Sequence, residues 1–200
     1  MVPHSVAVGR RLDRWSRQPA VRVLLVLAAL AAVPAIDAVL ATRPWPLAVE
    51  GALDESAHLL TAGLFLAALP PNRLRILVPW ALLGAVAIDL DHIPLYLWGV
   101  GAGLGRPGTH SLTSVLVLLL FSRLAPRWRL PLSGLALGVV LHLGRDLATG
   151  PGVPLFWPAA TTGVLVPYSA YLAALAGAAA VAVLRIGRRR AASEVTRPLG

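Results

Sequence analysis

Six apolar runs, set apart by short arginine-bearing segments, constrain this chain more than any other feature. They fall at about 21–41, 51–69, 74–92, 110–124, 131–148 and 163–185. A helix needs roughly 17–25 apolar residues to cross a bilayer. With no water to satisfy backbone polar groups in the hydrocarbon, helices are the economical way to span it. The composition agrees: 57% of residues are hydrophobic, 14% are charged and the mean hydropathy is +0.73. Soluble domains average about 25% charged residues. The expected fold is therefore all-α, a polytopic membrane bundle of about six transmembrane helices. Its parts are a basic N-terminal segment at 1–20, the membrane domain at 21–185 and a basic, unstructured tail at 186–200. The first run is too long for the ~7–15-residue core of a signal peptide, so it is read as a retained anchor.

The net charge is +9, and all 18 basic residues are arginine. Arg10, Arg11, Arg14, Arg17 and Arg22 precede the first run, and Arg73 and Arg75 follow the second. Arg123, Arg127 and Arg129 follow the fourth, and Arg185, Arg188, Arg189, Arg190 and Arg197 follow or end the sixth. With six spans all these lie on one side, leaving Arg43, Arg106 and Arg145 on the other. The positive-inside rule makes the rich side cytoplasmic, with both termini there. Trp15 and Trp128 flank that side, and Trp45, Trp98 and Trp157 flank the opposite one, as interfacial anchors do. Because the arginines punctuate apolar runs, the charge speaks for a membrane and not for nucleic acid.

The same topology sorts the remaining ionisable groups. His58 lies near the outer start of the second run, one turn after Asp54 and Glu55. Asp89, Asp91 and His92 end the third, His110 opens the fourth, and His142 and Asp146 lie near the outer end of the fifth. From Pro131, His142 is about 16 Å along a helix axis, at or beyond mid-depth. Ionisable groups there cost at least a few kcal/mol and face the bundle interior, paired or functional. Asp54 and His58, and His142 and Asp146, are spaced i, i+4, so each pair shares a helix face. One such pair is equally an ordinary buried hydrogen bond; four helices offering them at one depth point to a shared site. The chain has no cysteine, so a metal would take imidazole and carboxylate ligands. Asp37 stands alone in the first run, able to pair with an outer arginine, and is left out of the site. Thr109 and Ser111 flank His110 and are read mainly as caps of the fourth helix.

The stretches AHLLTAG at 57–63, DLDHIP at 89–94, RPGTHSL at 106–112 and HLGRDLATGPGVPLFWP at 142–158 resemble, in order, the YdjM-like family of LexA-regulated, membrane-bound, metal-dependent hydrolases. The resemblance implies a metal set of His58, Asp89, Asp91, His92, His110, His142 and Asp146. The sequence departs from the family at Gly105, where a histidine is usual before Arg106; Glu55, with Asp54, is the candidate accessory group. By a more distant likeness, the family implies the helical zinc-dependent phospholipase C and nuclease folds, which hydrolyse phosphodiesters.

These readings join into one expectation. One to three divalent ions, zinc before manganese or iron, sit at the outer face of a multi-pass cytoplasmic-membrane protein. Asp89 and Asp91 serve as catalytic carboxylates, bridging or acting as general base. Arg106 and Arg145, the nearest outer arginines, bind the phosphate of an anionic or lipid-linked substrate in the membrane lipid, Arg145 alternatively pairing with Asp146 or Asp91. The rivals are a transporter or non-catalytic metal-binding protein, and a family member with a degenerate site. A transporter would place its site at the midplane between inverted repeats, and no repeat is found in the sequence.

Overall fold

A computed structural model describes residues 18–70, 75–93 and 106–195, with side chains described to 189. The segment before residue 18, Arg73, Trp98, Gly105 and Arg197 lie outside the described residues. Six α-helices are found among those described: α1 (Pro19–Leu40), α2 (Leu47–Ala68), α3 (Val78–Ala87), α4 (Leu112–Leu124), α5 (Arg129–Asp146) and α6 (Tyr168–Val195). Two of them, α1 and the Tyr168–Arg189 part of α6, are long and apolar enough to cross a membrane by length and composition.

The helices follow the apolar runs, and the departures have local causes. Proline at the first position of α1 suits a helix start, where the missing N–H has no partner to lose. α2 begins at Leu47, so Glu50, Asp54 and Glu55 stand on the helix and not before it. The third run is the shortest helix. α3 passes at Ile88 into a turn of 3-10 helix, Ile88–Asp91. α4 starts at Leu112, which leaves His110 in the turn before it. α6 starts at Tyr168 because 153–166 is held as a loop by an antiparallel bridge between Val153 and Val164. It runs on to Val195, so 186–195, expected as part of an unstructured tail, is helical, and 196–200 lie outside the described residues. Arginine and alanine are both good helix formers, so the basic segment extends the helix it follows.

α2 and α5 are central. α2 packs on α1, α3, α5 and α6, and α5 packs on α2, α3 and α4. One apolar cluster joins α1, α2 and α6 through Val26, Val33, Leu64, Tyr171 and Leu175. A second joins α4, α5 and the 150s loop through Val115, Val139, Leu143 and Val153. The α3–α5 crossing is the tightest. A Cβ on Gly138 would collide with the Ala81 carbonyl oxygen and lie 2.7 Å from the Ala85 nitrogen. A Cβ on Gly84 would likewise collide with the Leu135 carbonyl. Small residues let membrane helices approach backbone to backbone. Gly134, Gly138, His142 and Asp146 recur every four residues along α5, as do Ala81, Ala85 and Asp89 along α3 and its 3-10 extension. The stripe that brings the two backbones together therefore continues into polar residues at its outer end.

Candidate metal centre

At that end the polar groups of α2, α3, α5 and the turn before α4 converge. His142 is buried on α5, with Nδ1 2.7 Å from the carbonyl oxygen of Ala85. Its Nε2 lies 2.9 Å from Asp146 Oδ2 and 3.5 Å from Asp89 Oδ1. His110, also buried, places Nε2 2.8 Å from Asp89 Oδ1 and Nδ1 3.2 Å from Asp91 Oδ2. His92 Nδ1 is 3.0 Å from Asp91 Oδ1 and 3.4 Å from Asp89 Oδ1. His58 stacks on His142 with ring centroids 3.7 Å apart and planes 6° from parallel.

Local backbone sets these positions. In a 3-10 turn residues three apart eclipse one another, which aligns Asp89 with His92. The same turn lets Asp91, which a continuing α-helix would point elsewhere, join them. Thr109 donates its hydroxyl to Asp91 and so braces the ligand turn, a role different from the expected cap. Ser111 occupies the N-cap position of α4 but makes no side-chain capping bond. The loop after α5 holds His110 from outside: Leu112 N–H donates to Leu155 O at 3.0 Å, and the Thr113 hydroxyl donates to the Trp157 carbonyl. Gly150 has a φ of 69°, open to glycine at no steric cost. A Cβ there would come within 3.2 Å of Arg106 Nη2.

Three groups of donors fit a metal ion, each with its ligand atoms within 4.8 Å of one another: Asp89, Asp91, His92 and His110; His58, Asp89 and His142; and His110, His142 and Asp146. Asp89 belongs to two of them and joins the outer group to the inner one. All seven sequence-derived metal candidates fall within these groups.

The two arginines part company. Arg106 places Nη2 2.8 Å from Asp146 Oδ1, and its Nε is buried with no hydrogen-bond partner. Arg145 is buried, and its hydrogen bonds go to Asp54, Asp37 and His58 and not to Asp146 or Asp91. Its Nη1 lies 2.5 Å from Asp54 Oδ1, and its Nη2 2.6 Å from Asp37 Oδ1. The reading of Arg145 as a phosphate-binding group, or as a partner of Asp146 or Asp91, is thus corrected. Two carboxylates already take its fork, and a buried guanidinium must be paired where it stands. Asp54 serves this pairing. Glu55 has a buried oxygen, Oε2, without a hydrogen-bond partner. Sequence reasoning allowed Asp37 on α1 an outer arginine as its partner, which Arg145 is, but left it out of the site; it passed over Tyr168 on α6, whose hydroxyl donates to Asp37 Oδ2 at 2.7 Å. An isolated acid in an otherwise apolar helix was the available signal.

The chain matches the family described as YdjM inner membrane protein over residues 54–196, most of its length. The chain belongs to the YdjM family. Its similar relatives include the inner membrane proteins YdjM of Escherichia coli (strain K12) and of Shigella flexneri. Each is 34% identical over 96 residues, covering 41% of this chain and 49% of the relative. The match thus spans about half the length of these curated relatives. No solved structure matches the chain. The family segment contains every residue of the three donor groups, whereas Asp37 lies before it. This is a membrane protein of the YdjM family carrying histidine–aspartate groups able to hold a metal.

Proposed function

We propose that the protein is a membrane-embedded, metal-dependent hydrolase acting on a phosphoester or phosphodiester of a lipid-like substrate at the extracytoplasmic face. The observation that carries this reading is the environment of His142. A carbonyl only accepts, so Nδ1 carries the proton donated to Ala85 O. In the neutral ring Nε2 is then a bare lone pair, buried, 2.9 Å from a carboxylate oxygen. Neither Nε2 nor Asp146 Oδ2 has a hydrogen-bond partner. Facing lone pairs in a low-dielectric interior repel unless a cation lies among them. A second proton on His142 would answer that one contact. It would not answer the convergence of His110, Asp89 and Asp91 beside it. A backbone carbonyl behind a histidine is also a common outer partner of a metal ligand.

His110, His142, Asp89 and Asp146 would hold the inner ion, and Asp91 and His92 an outer one sharing Asp89. Zinc suits such nitrogen and oxygen donors, with manganese and iron as alternatives. When bound, it supplies a Lewis acid and brings the pKa of a coordinated water to about 7. Alternatively Asp91, at the more exposed edge of the site, would act as general base in place of ligating the outer ion. Arg106, beside Asp146, keeps a buried N–H without a partner and suits a phosphoryl oxygen. The six-span arrangement, with cytoplasmic termini, rests on the arginine distribution and puts the site on the outer side.

The test is elemental analysis of purified protein, followed by metal-dependent turnover of phosphodiester and lipid-phosphate panels. Bound transition metal and turnover abolished by Asp89→Ala are expected. Absence of metal from protein prepared without chelator, and after zinc reconstitution, would sink the reading. Metal without turnover on any panel member would leave a non-catalytic metal-binding protein.

A further inference from the structure

The buried charge cluster beside the metal centre has a chemistry of its own. Arg145 Nη1 lies 2.5 Å from Asp54 Oδ1 and 3.1 Å from His58 Nε2. A guanidinium nitrogen only donates. Its two hydrogens account for both contacts, one to the carboxylate and one to the imidazole. His58 Nε2 is therefore an acceptor, and its lone pair is occupied. Asp146 Oδ1 is also 3.2 Å from this nitrogen and 2.8 Å from Arg106 Nη2, but it makes no hydrogen bond to either. The opposite ring nitrogen, Nδ1, is buried with no hydrogen-bond partner. What His58 does offer the centre is its face, stacked on His142.

We infer that His58 is a positioning residue and not a metal ligand, held by a clamp of Arg145, Asp37, Asp54 and Tyr168 that orients the His142 ring by stacking. The clamp draws one residue or more from α1, α2, α5 and α6, and Asp37 extends the site beyond the family-matched segment. The inference rests on the metal reading for its consequence, but the clamp itself is testable without metal.

Two measurements decide it. In metal-free protein in detergent, labelled with 15N-histidine, His58 is expected as the Nδ1–H tautomer with Nε2 accepting. It is identified as the signal lost in His58→Phe. Asp37→Asn and Arg145→Lys should shift that signal, because each breaks the fork geometry. An Nε2–H tautomer, or a signal indifferent to both substitutions, overturns the clamp whether or not the protein binds metal. In the second measurement, zinc stoichiometry and affinity are read on the same variants. His58→Phe keeps an aromatic face and removes both nitrogens, so it should retain stoichiometric zinc. Asp37→Asn should weaken zinc by about 10–100-fold, the usual effect of an outer partner. If His58→Phe loses zinc as completely as His142→Phe, His58 is a ligand and the inference fails. If the wild type takes no zinc, the metal reading fails while the tautomer result still stands or falls alone.

Discussion

His142 shows how much one side chain can be asked to do. Its Nδ1–H is spent on the Ala85 carbonyl, its face on His58 and its Nε2 on the converging carboxylates. His142→Ala removes a donor from two of the three metal groups and the bond to the Ala85 carbonyl. We expect loss of bound metal by elemental analysis. We also expect a stability cost of about 0.5–1.5 kcal/mol for the lost hydrogen bond, read by thermal denaturation in detergent without metal. Because protons compete with the metal for imidazole and carboxylate ligands, zinc occupancy should fall as the pH is lowered. A zinc titration at several pH values that showed no loss on acidification would speak against ligation by these groups. Much at this scale was legible: residue type, spacing and side of the membrane brought His58, Asp89, Asp91, His92, His110, His142 and Asp146 together on paper. Arg145 was not. Its neighbour Asp146 suggested a partner, but the true partners are 91 and 108 residues away in sequence. The lone Asp37 did call for an outer arginine, but the sequence did not say which one, and it gave no sign of the pairing with Asp54.

α5 and α3 form the ruler against which these side chains are measured. The crossing is set by Gly138 and Gly84, where neither backbone leaves room for a methyl group. Gly138→Ala should separate the helices and draw Asp89 away from His142. Overpacking of this kind costs typically about 1–3 kcal/mol, so a lower melting temperature and weaker zinc binding are expected together. Gly144→Ala, on the same helix with open space around it, should change neither. If both variants behave alike, close approach at Gly138 is not what registers the site. The Gly134–Gly138–His142–Asp146 stripe was present in the sequence at a spacing of four. Reading apolar length and polar residues separately hid that they are one stripe. The short α3 and its 3-10 end were also hidden. An apolar run gives a length but does not show where i→i+4 bonding gives way to i→i+3.

At the level of the whole molecule, sidedness and cohesion are the measurable properties. With no native cysteine, single cysteines report topology directly. Thr42→Cys, exposed between α1 and α2, should react with an impermeant maleimide applied to intact cells, and Arg127→Cys, exposed between α4 and α5, should not. The reverse pattern would turn the site toward the cytoplasm. Aspartates outnumber guanidinium groups where α1, α2, α3 and α5 meet, so removing a bound cation should loosen the bundle. Chelation of metal-loaded protein is expected to lower its melting temperature, with recovery on re-addition of zinc. The all-helical architecture was legible from apolar length and arginine placement. The clustering of α1, α2 and α6 was not, since it rests on interlocking small and large apolar side chains that many arrangements could satisfy.

The ion pair between α1 and α5 also bears on how the chain is made. Asp37 emerges from the ribosome 108 residues before Arg145. At about 5–20 residues per second, translation leaves the two apart for roughly 5–20 s. For that interval the first helix holds a carboxylate whose counter-charge has not yet been synthesised. An acid at a bilayer's centre costs about 2.5–3.5 kcal/mol on insertion scales, less near an interface. α1 is thus an unfinished helix, dependent on the lipid interface or an insertion factor until α5 arrives. Stalling synthesis between Ala68 and Arg129 should leave α1 more easily extracted from the membrane in the wild type than in Asp37→Asn, and completing α5 should erase that difference.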